Sequence, residues 1–117
     1  EKYKEADGIY VNHEDRQKYN GTPYWVSEYG GIKMPDDESG WGYGNAPKSR
    51  EEFLQRYKGL TDVLLDDEKC WALCYTQLYD VEQEVNGLYR YDRTDKFTAE
   101  EKAFLKSVMT RKAAVED

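Results

Sequence analysis

The sequence predicts an α/β fold in which helices cover a parallel sheet. Two short apolar runs, at 22–28 and 70–76, are typical of strands that are buried on both faces. Two amphipathic segments, at 49–65 and 98–111, are typical of helices that pack one face on a sheet. A long polar segment separates each strand from the next helix, so the order strand, loop, helix occurs twice.

Composition limits the classes of function that fit this chain. The 117 residues carry a formal net charge of -7 without a cluster of Lys or Arg, which argues against nucleic acid and against an anionic membrane surface. No apolar stretch approaches the ~20 residues of a membrane span. Eleven Tyr, three Trp and three Phe argue against disorder and fit either a carbohydrate site or a packed core. Composition does not indicate the cellular compartment.

The first strand follows a polar N-terminal segment. Residues 8–11, "GIYV", are consistent with a strand end, and the single histidine, His13, is expected at the surface. The run 22–28 predicts a short, mostly buried strand that ends at Glu28. Residues 30–47 contain five glycines and two prolines among acidic side chains, which predicts a long loop.

The first predicted helix, 49–65, begins with the spacing of a capping box. Ser49 and Glu52 have the S-x-x-E pattern immediately before an apolar run. The apolar positions recur at intervals of four, three and four residues and predict one buried stripe: Phe53, Tyr57, Leu60 and Leu64.

The second strand, "CWALCYT" at 70–76, contains both cysteines. Four residues of extended chain place Cys70 and Cys74 about 13 Å apart, which is too far for a disulfide. Two thiols without a second pair or a nearby His do not make a zinc site, so we expect two buried structural residues.

The second predicted helix, 98–111, repeats the signals of the first. Thr98 and Glu101 have the capping-box spacing, and the apolar positions that follow are Phe104, Leu105 and Val108. The loop between 77 and 96 is polar, and its acidic side chains, Asp80, Glu82 and Glu84, are expected to be solvated.

Two motifs carry a family resemblance. "PYWVSEYGG" resembles the strand-seven signature of glycoside hydrolase family two, and "VNGLYRYDRT" (85–94) resembles the segment after strand eight in its bacterial β-galactosidases. The motifs occur in the family's order and cover residues 22–105. The resemblance implies the C-terminal part of a (β/α)8 TIM barrel, about its last two β/α units. A small standalone α/β domain is the competing interpretation.

The resemblance also implies site residues. Glu28 aligns with the catalytic nucleophile, which attacks the anomeric carbon, and the glycines after it are expected to leave room for the sugar. Tyr75 aligns with an aromatic floor of the sugar subsite, or is a core tyrosine. Asn86 aligns with a residue that holds the galactose 6-hydroxyl and a sodium ion, or is a turn residue before Gly87. Trp41 and Tyr43, in the loop after the first strand, line the leaving-group subsite or clamp that loop.

The same comparison indicates the substrate. Related β-glucuronidases have an Asn-x-Lys-Gly motif at the place where this chain has Glu84-Val85-Asn86-Gly87. The lysine that binds the carboxylate of an anionic sugar is thus replaced by Asn86 in this chain. A neutral sugar, galactose first, is therefore expected. The chain is predicted to need no cofactor, although Na+ or Mg2+ is an option for the parent enzyme.

The second catalytic carboxyl group is predicted to lie outside this chain. The family's acid/base glutamate follows an asparagine, and none of the four asparagines here precedes Glu. The implied partners are thus a carbohydrate substrate and the parent enzyme's other barrel strands and β-sandwich domains. A retaining β-galactosidase fragment, a non-catalytic carbohydrate-binding module and a structural fragment all remain open at this point.

Overall fold

The computed structural model describes residues 2–4, 10–12 and 18–117. Strand β1 (Lys2–Lys4) pairs antiparallel with β2 (Tyr10–Asn12). The expected surface position of His13 lies outside the described residues, as do residues 8 and 9 of the predicted strand end.

The predicted order of elements is observed in the remaining chain. It comprises β3 (Tyr24–Gly30), α1 (Arg50–Leu65), β4 (Cys70–Thr76), α2 (Ala99–Met109) and a 3-10 turn (Ala114–Glu116). β3 and β4 are parallel neighbours, and α1 crosses between them. The structure is therefore a small mixed α/β unit, as expected. Two parallel strands do not define a barrel.

Local capping signals explain where the helices begin. The Ser49 hydroxyl accepts a hydrogen bond from the Glu52 N–H at 3.0 Å, so Ser49 is the N-cap of α1. Thr98 and Glu101 form a complete, reciprocal capping box at the start of α2. The first position of each predicted helix is thus a cap, and the helix follows it by one residue.

The buried stripe of α1 differs from the predicted one. The buried side chains are Phe53, Tyr57, Thr61 and Leu65, whereas Leu60 is 41% exposed. Thr61 is buried because its hydroxyl hydrogen-bonds with the Tyr29 hydroxyl of β3 at 3.0 Å. The spacing of apolar residues predicted Leu60 and Leu64 on the buried face because it takes no account of a polar residue such as Thr61.

The core lies between the helices and the loops rather than on the strands. Its buried residues are Ile32, Met34, Phe53, Tyr57, Phe97, Leu105 and Val108. Ile32 and Met34 follow β3, and Phe97 precedes α2. The partly buried Phe104 also packs here, so the apolar positions predicted for α2 are confirmed.

The expectation of two buried strands is wrong. Trp25 is 66% exposed and Trp71 is 64% exposed, and the Cys74 side chain is also exposed, whereas Cys70 is buried. Both thiols are free, in agreement with their predicted separation. Within the described residues the sheet holding β3 contains only two strands, and the exposure of Trp25 and Trp71 leaves part of its surface uncovered. Parallel strands are ordinarily covered on both faces.

Candidate functional site

Glu28 lies at a β-bulge near the carboxyl end of β3. From Val26 to Tyr29 the strand advances three residues while β4 advances two, from Leu73 to Tyr75. From residue 24 to 27 the side chains are alternately half-buried and exposed. Glu28 is exposed as well, and Tyr29 is again half-buried. Bulges re-aim side chains, and this one turns a carboxylate outward at the strand end.

Protein aromatics occupy the space beside the two glycines that follow Glu28. A Cβ on Gly30 would lie 2.2 Å from the Tyr75 ring, and a Cβ on Gly31 would lie 2.6 Å from the Tyr43 ring. Both glycines have positive φ, 97° and 67°, which other residues rarely adopt. These glycines let two tyrosines approach the backbone, and the expectation that they leave room for a sugar stays a prediction.

Tyr75 is packed on the helix side of the sheet. Its ring centroid lies 5.5 Å from that of Tyr29 and 5.0 Å from that of Tyr57, and it packs against the core cluster. Burial raises the pKa of the Tyr75 hydroxyl, and burial also raises that of Tyr57 to about 12. This placement favours the core interpretation of Tyr75 over a sugar platform.

Asn86 is completely buried, at 0% exposure. Its amide Nδ2 donates to a Glu84 carboxylate oxygen at 3.3 Å, and its Oδ1 has no hydrogen-bond partner within residues 18–117. A Cβ on Gly87 would lie 2.2 Å from the Tyr79 carbonyl carbon, so the turn requires glycine there. The close approach explains Gly87, while the buried Oδ1 of Asn86 has no partner among the described residues, so both interpretations of Asn86 stay predictions.

A buried ion pair forms hydrogen bonds with the backbone on both sides of Asn86, at Val85 and at Gly87. Lys96 Nζ lies 2.5 Å from Asp80 Oδ1, and both residues are less than a tenth exposed. Lys96 also donates to the Val85 carbonyl at 3.1 Å, while Asp80 accepts from the Gly87 N–H at 2.9 Å. The expectation of a solvated Asp80 is therefore wrong. This pair could not be predicted from the sequence, because Lys96 is an isolated lysine in a polar loop.

The two long loops are joined through the backbone of Trp41. Its N–H donates to the Gln83 carbonyl at 2.7 Å, and its carbonyl accepts from the Val85 N–H at 2.9 Å. The Trp41 side chain is 48% exposed and meets the Tyr43 ring edge to face, with centroids 5.5 Å apart. Tyr43 shares the two interpretations of Trp41, a lining of the leaving-group subsite or a clamp on this loop. Its ring stands over Gly31, three residues beyond Glu28.

A polar pocket of about 620 Å³ lies between these loops and the start of α1. Arg50, Arg90 and Lys96 contribute positive charge to its wall. The carboxylates outnumber them: Asp36, Asp37, Asp80, Glu82 and Asp92. Since acidic side chains exceed basic ones, this part of the surface disfavours anionic ligands.

No family model matches this chain, and no curated protein matches it. Within the described ranges, no helix is long and apolar enough to cross a membrane. The same part of the chain has no cluster of three metal-ligating His, Cys, Asp or Glu side chains.

The predicted site residues therefore fall into two groups. Glu28 and Trp41 are accessible to a ligand, whereas Tyr75 and Asn86 are packed inside the protein. The accessible group supplies a carboxylate at a strand end and an aromatic surface in the loop that follows it. Chemically, it offers a nucleophile or base together with a surface on which an apolar ring face can stack.

Proposed function

We propose that this chain is part of a retaining β-glycosidase that acts on neutral β-linked sugars, most closely a β-galactosidase. Glu28 is the nucleophile in this proposal, and the chain supplies about the last two β/α units of a TIM barrel. One observation carries it: the Ser27–Glu28 bulge directs a carboxylate outward at the carboxyl end of a parallel strand. Active sites of such barrels form at the carboxyl ends of the strands.

The proposed reaction is a double displacement. The Glu28 carboxylate attacks the anomeric carbon, the bond from that carbon to the leaving oxygen breaks, and a glycosyl ester forms. A second carboxyl group, which the resemblance places outside this chain, protonates the leaving oxygen. It then removes a proton from the water that hydrolyses the ester and releases the sugar with retained configuration.

Charge supports a neutral substrate. The chain carries a formal net charge of -7, and carboxylates outnumber cations around the pocket between the two loops. Lys96, the buried lysine of the second loop, is already paired with Asp80. An anionic sugar would meet repulsion at this surface.

A structural fragment without sugar contact is the second candidate. Its supporting observation is the exposed face of the sheet, where Trp25 and Trp71 are each about two-thirds exposed. Exposed aromatic surface of this kind is typical of an interface with another element. A fragment of a larger barrel has the same property, so exposure alone does not separate the two candidates.

Covalent labelling tests the proposal. The parent polypeptide, with the strand that holds the acid/base residue, is treated with a 2-deoxy-2-fluoro-β-galactoside bearing a dinitrophenyl leaving group. We expect the label on Glu28, and we expect Glu28→Gln to lose nearly all turnover of a nitrophenyl β-galactoside. Glu38→Gln, at an exposed glutamate of the following loop, is the matched control and retains activity.

Two results count against the assignment. A label on another carboxylate, or full activity of Glu28→Gln, removes Glu28 from the nucleophile's role. The 117-residue chain alone is expected to leave the nitrophenyl galactoside intact, because general acid catalysis needs the second carboxyl group. Rapid turnover by the isolated chain would contradict the proposal that the second carboxyl group lies outside this chain.

A further inference from the structure

Cys74 lies directly across from the bulge that carries Glu28. The strand register pairs Val26 and Tyr29, which flank the bulge, with the two neighbours of Cys74 in β4. Cys74 is therefore the one residue of β4 that stands opposite Ser27 and Glu28. Neighbouring strands of a sheet lie about 4.8 Å apart, so the backbone of Cys74 is adjacent to that of the bulge.

The side chains of Cys74 and Glu28 also point to the same face of the sheet. Tyr29 and Tyr75 are paired in the register, and their rings lie 5.5 Å apart on the side of α1. Because successive side chains of a strand alternate in direction, Cys74 points away from α1. Glu28 and Cys74 are both exposed, whereas Tyr29 and Tyr75 are half-buried. A thiol and a carboxylate thus stand side by side on the face opposite α1.

The surroundings of Glu28 on this face are uncharged. Glu28 is the single charged residue within the sequences of β3 and β4. Toward the amino ends of these strands, Trp25 of β3 pairs with Ala72 of β4, and both residues are exposed. Ligand sites in proteins combine a mostly apolar lining with a few placed polar groups. The face formed by Trp25, Ala72, Cys74 and Glu28 has this composition.

We propose that Cys74 lines the sugar subsite of Glu28 and that its thiol contacts the ring of the bound neutral sugar. This inference rests on the proposed function and assigns a further residue to the same site. A thiol is small and forms only weak hydrogen bonds, so it suits contact with the C–H groups of a sugar ring. Its position carries the assignment, because a ligand that reaches Glu28 also reaches the neighbouring strand.

Added bulk at position 74 tests the contact in the parent enzyme. Cys74→Leu is expected to lower kcat/KM for a nitrophenyl β-galactoside about five- to 150-fold, the range for forcing extra volume into a packed contact. Cys74→Ser keeps the size of the side chain and should retain most of the activity. Ala103→Leu, at an exposed position of α2, adds a similar volume elsewhere and is the matched control. In the 117-residue chain, Cys74→Leu should leave the urea midpoint nearly unchanged, since Cys74 is exposed.

Modification of the thiol provides a second test in the same enzyme. Methyl methanethiosulfonate adds a methylthio group to a thiol and releases methanesulfinate. Treatment should remove most turnover of the wild-type parent and should leave the Cys74→Ser variant active. Prior trapping of Glu28 with the 2-deoxy-2-fluoro-β-galactoside should protect Cys74 from the reagent, as measured by mass spectrometry.

The proximity of the two side chains is measured independently of turnover in the 117-residue chain. In Glu28→Cys, dibromobimane, a short reagent that joins two neighbouring thiols, should link position 28 to Cys74. Glu38→Cys, in the loop after β3, is the matched control and should not be linked to Cys74. Absence of the link in Glu28→Cys overturns the juxtaposition and the proposal with it.

The kinetic results decide between a subsite role and a structural role for Cys74. An unchanged kcat/KM in Cys74→Leu overturns the proposal. After thiol modification, full activity of the wild-type parent or an equal loss in Cys74→Ser also overturns it. Lost activity together with a lowered urea midpoint in Cys74→Leu indicates a structural role and has the same consequence. If the wild-type parent cleaves no β-galactoside, the proposed function fails and this inference fails with it, while positions 28 and 74 are still linked.

Discussion

Replacing Lys96 with methionine tests how strongly the interior ion pair holds the second loop. The variant keeps most of the side chain's apolar length but removes the ammonium group 2.5 Å from Asp80 Oδ1. Asp80 is 5% exposed, so its carboxylate stays buried with the Gly87 N–H as its remaining donor. Breaking a buried pair from one side costs about 3–5 kcal/mol.

This loss is a large share of the about 5–15 kcal/mol that stabilises a typical domain. With an m-value of about 2 kcal/mol per molar urea, the midpoint of unfolding should fall by about 1.5–2.5 M. Urea titration followed by tryptophan fluorescence measures the shift. The double variant Asp80→Asn, Lys96→Met should recover part of the loss, because it leaves no buried charge.

An exposed ion pair near the same loop provides the control. Lys102 Nζ lies 2.9 Å from Asp95 Oδ2, with side chains 40% and 53% exposed, and Lys102→Met should leave the midpoint nearly unchanged. The reasoning is refuted if Lys96→Met shifts the midpoint no more than Lys102→Met does. It is also refuted if the double variant is as unstable as Lys96→Met alone.

Three further predictions concern stability, pH and thiol access. Gly59 lies within α1 with open space around its Cα, so Gly59→Ala should stabilise the chain by about 1 kcal/mol in urea titration, and a loss would contradict the helix geometry. Hydrogen bonds from Arg50 lower the pKa of Glu101, so the folded state binds fewer protons there. The stability that this pair contributes is complete above the ordinary pKa of 4.5 and is lost as pH falls through the lowered folded-state pKa. Glu101→Gln should therefore weaken the fall of Tm at acid pH. An unchanged dependence of Tm on acid pH would contradict this. Cys74 should react with a thiol reagent in the native state, while Cys70 should react only after unfolding; simultaneous reaction would contradict their different burial.

Features encoded by neighbouring residues were predictable from the sequence. The two cap positions, Ser49 and Thr98, place both helix starts within one residue, because each cap acts on N–H groups of its own first turn. The strands were recognised from apolar runs of limited length. Their alternation with helices gave the parallel pairing of β3 and β4.

Features that depend on distant partners were not predictable in the same way. The buried Thr61 hydroxyl hydrogen-bonds with a tyrosine of β3, and the buried Lys96 pairs with Asp80, which lies sixteen residues earlier in the chain. A single sequence carries no local signal for either contact. The exposure of the strands depends on which other elements cover the sheet, which two apolar runs do not specify.

The candidate site was predicted only in part for the same reason. The resemblance selected Glu28 and Trp41, which are accessible, but also Tyr75, which is partly buried against the core, and Asn86, which is buried. Tyr43 was considered with Trp41 for the leaving-group subsite or for clamping the loop, but the contact of its ring with Gly31 could not be predicted from sequence spacing.

The bulge at Ser27–Glu28 has a consequence for divergence. In a regular strand successive side chains point to opposite faces, so an exposed residue is followed by one on the other face. Here the inserted residue separates the outward position 28 from Tyr29, which packs toward α1. Substitution at position 28 therefore requires no repacking beneath it. Descendants of such a chain can lose or exchange the carboxylate and keep the fold.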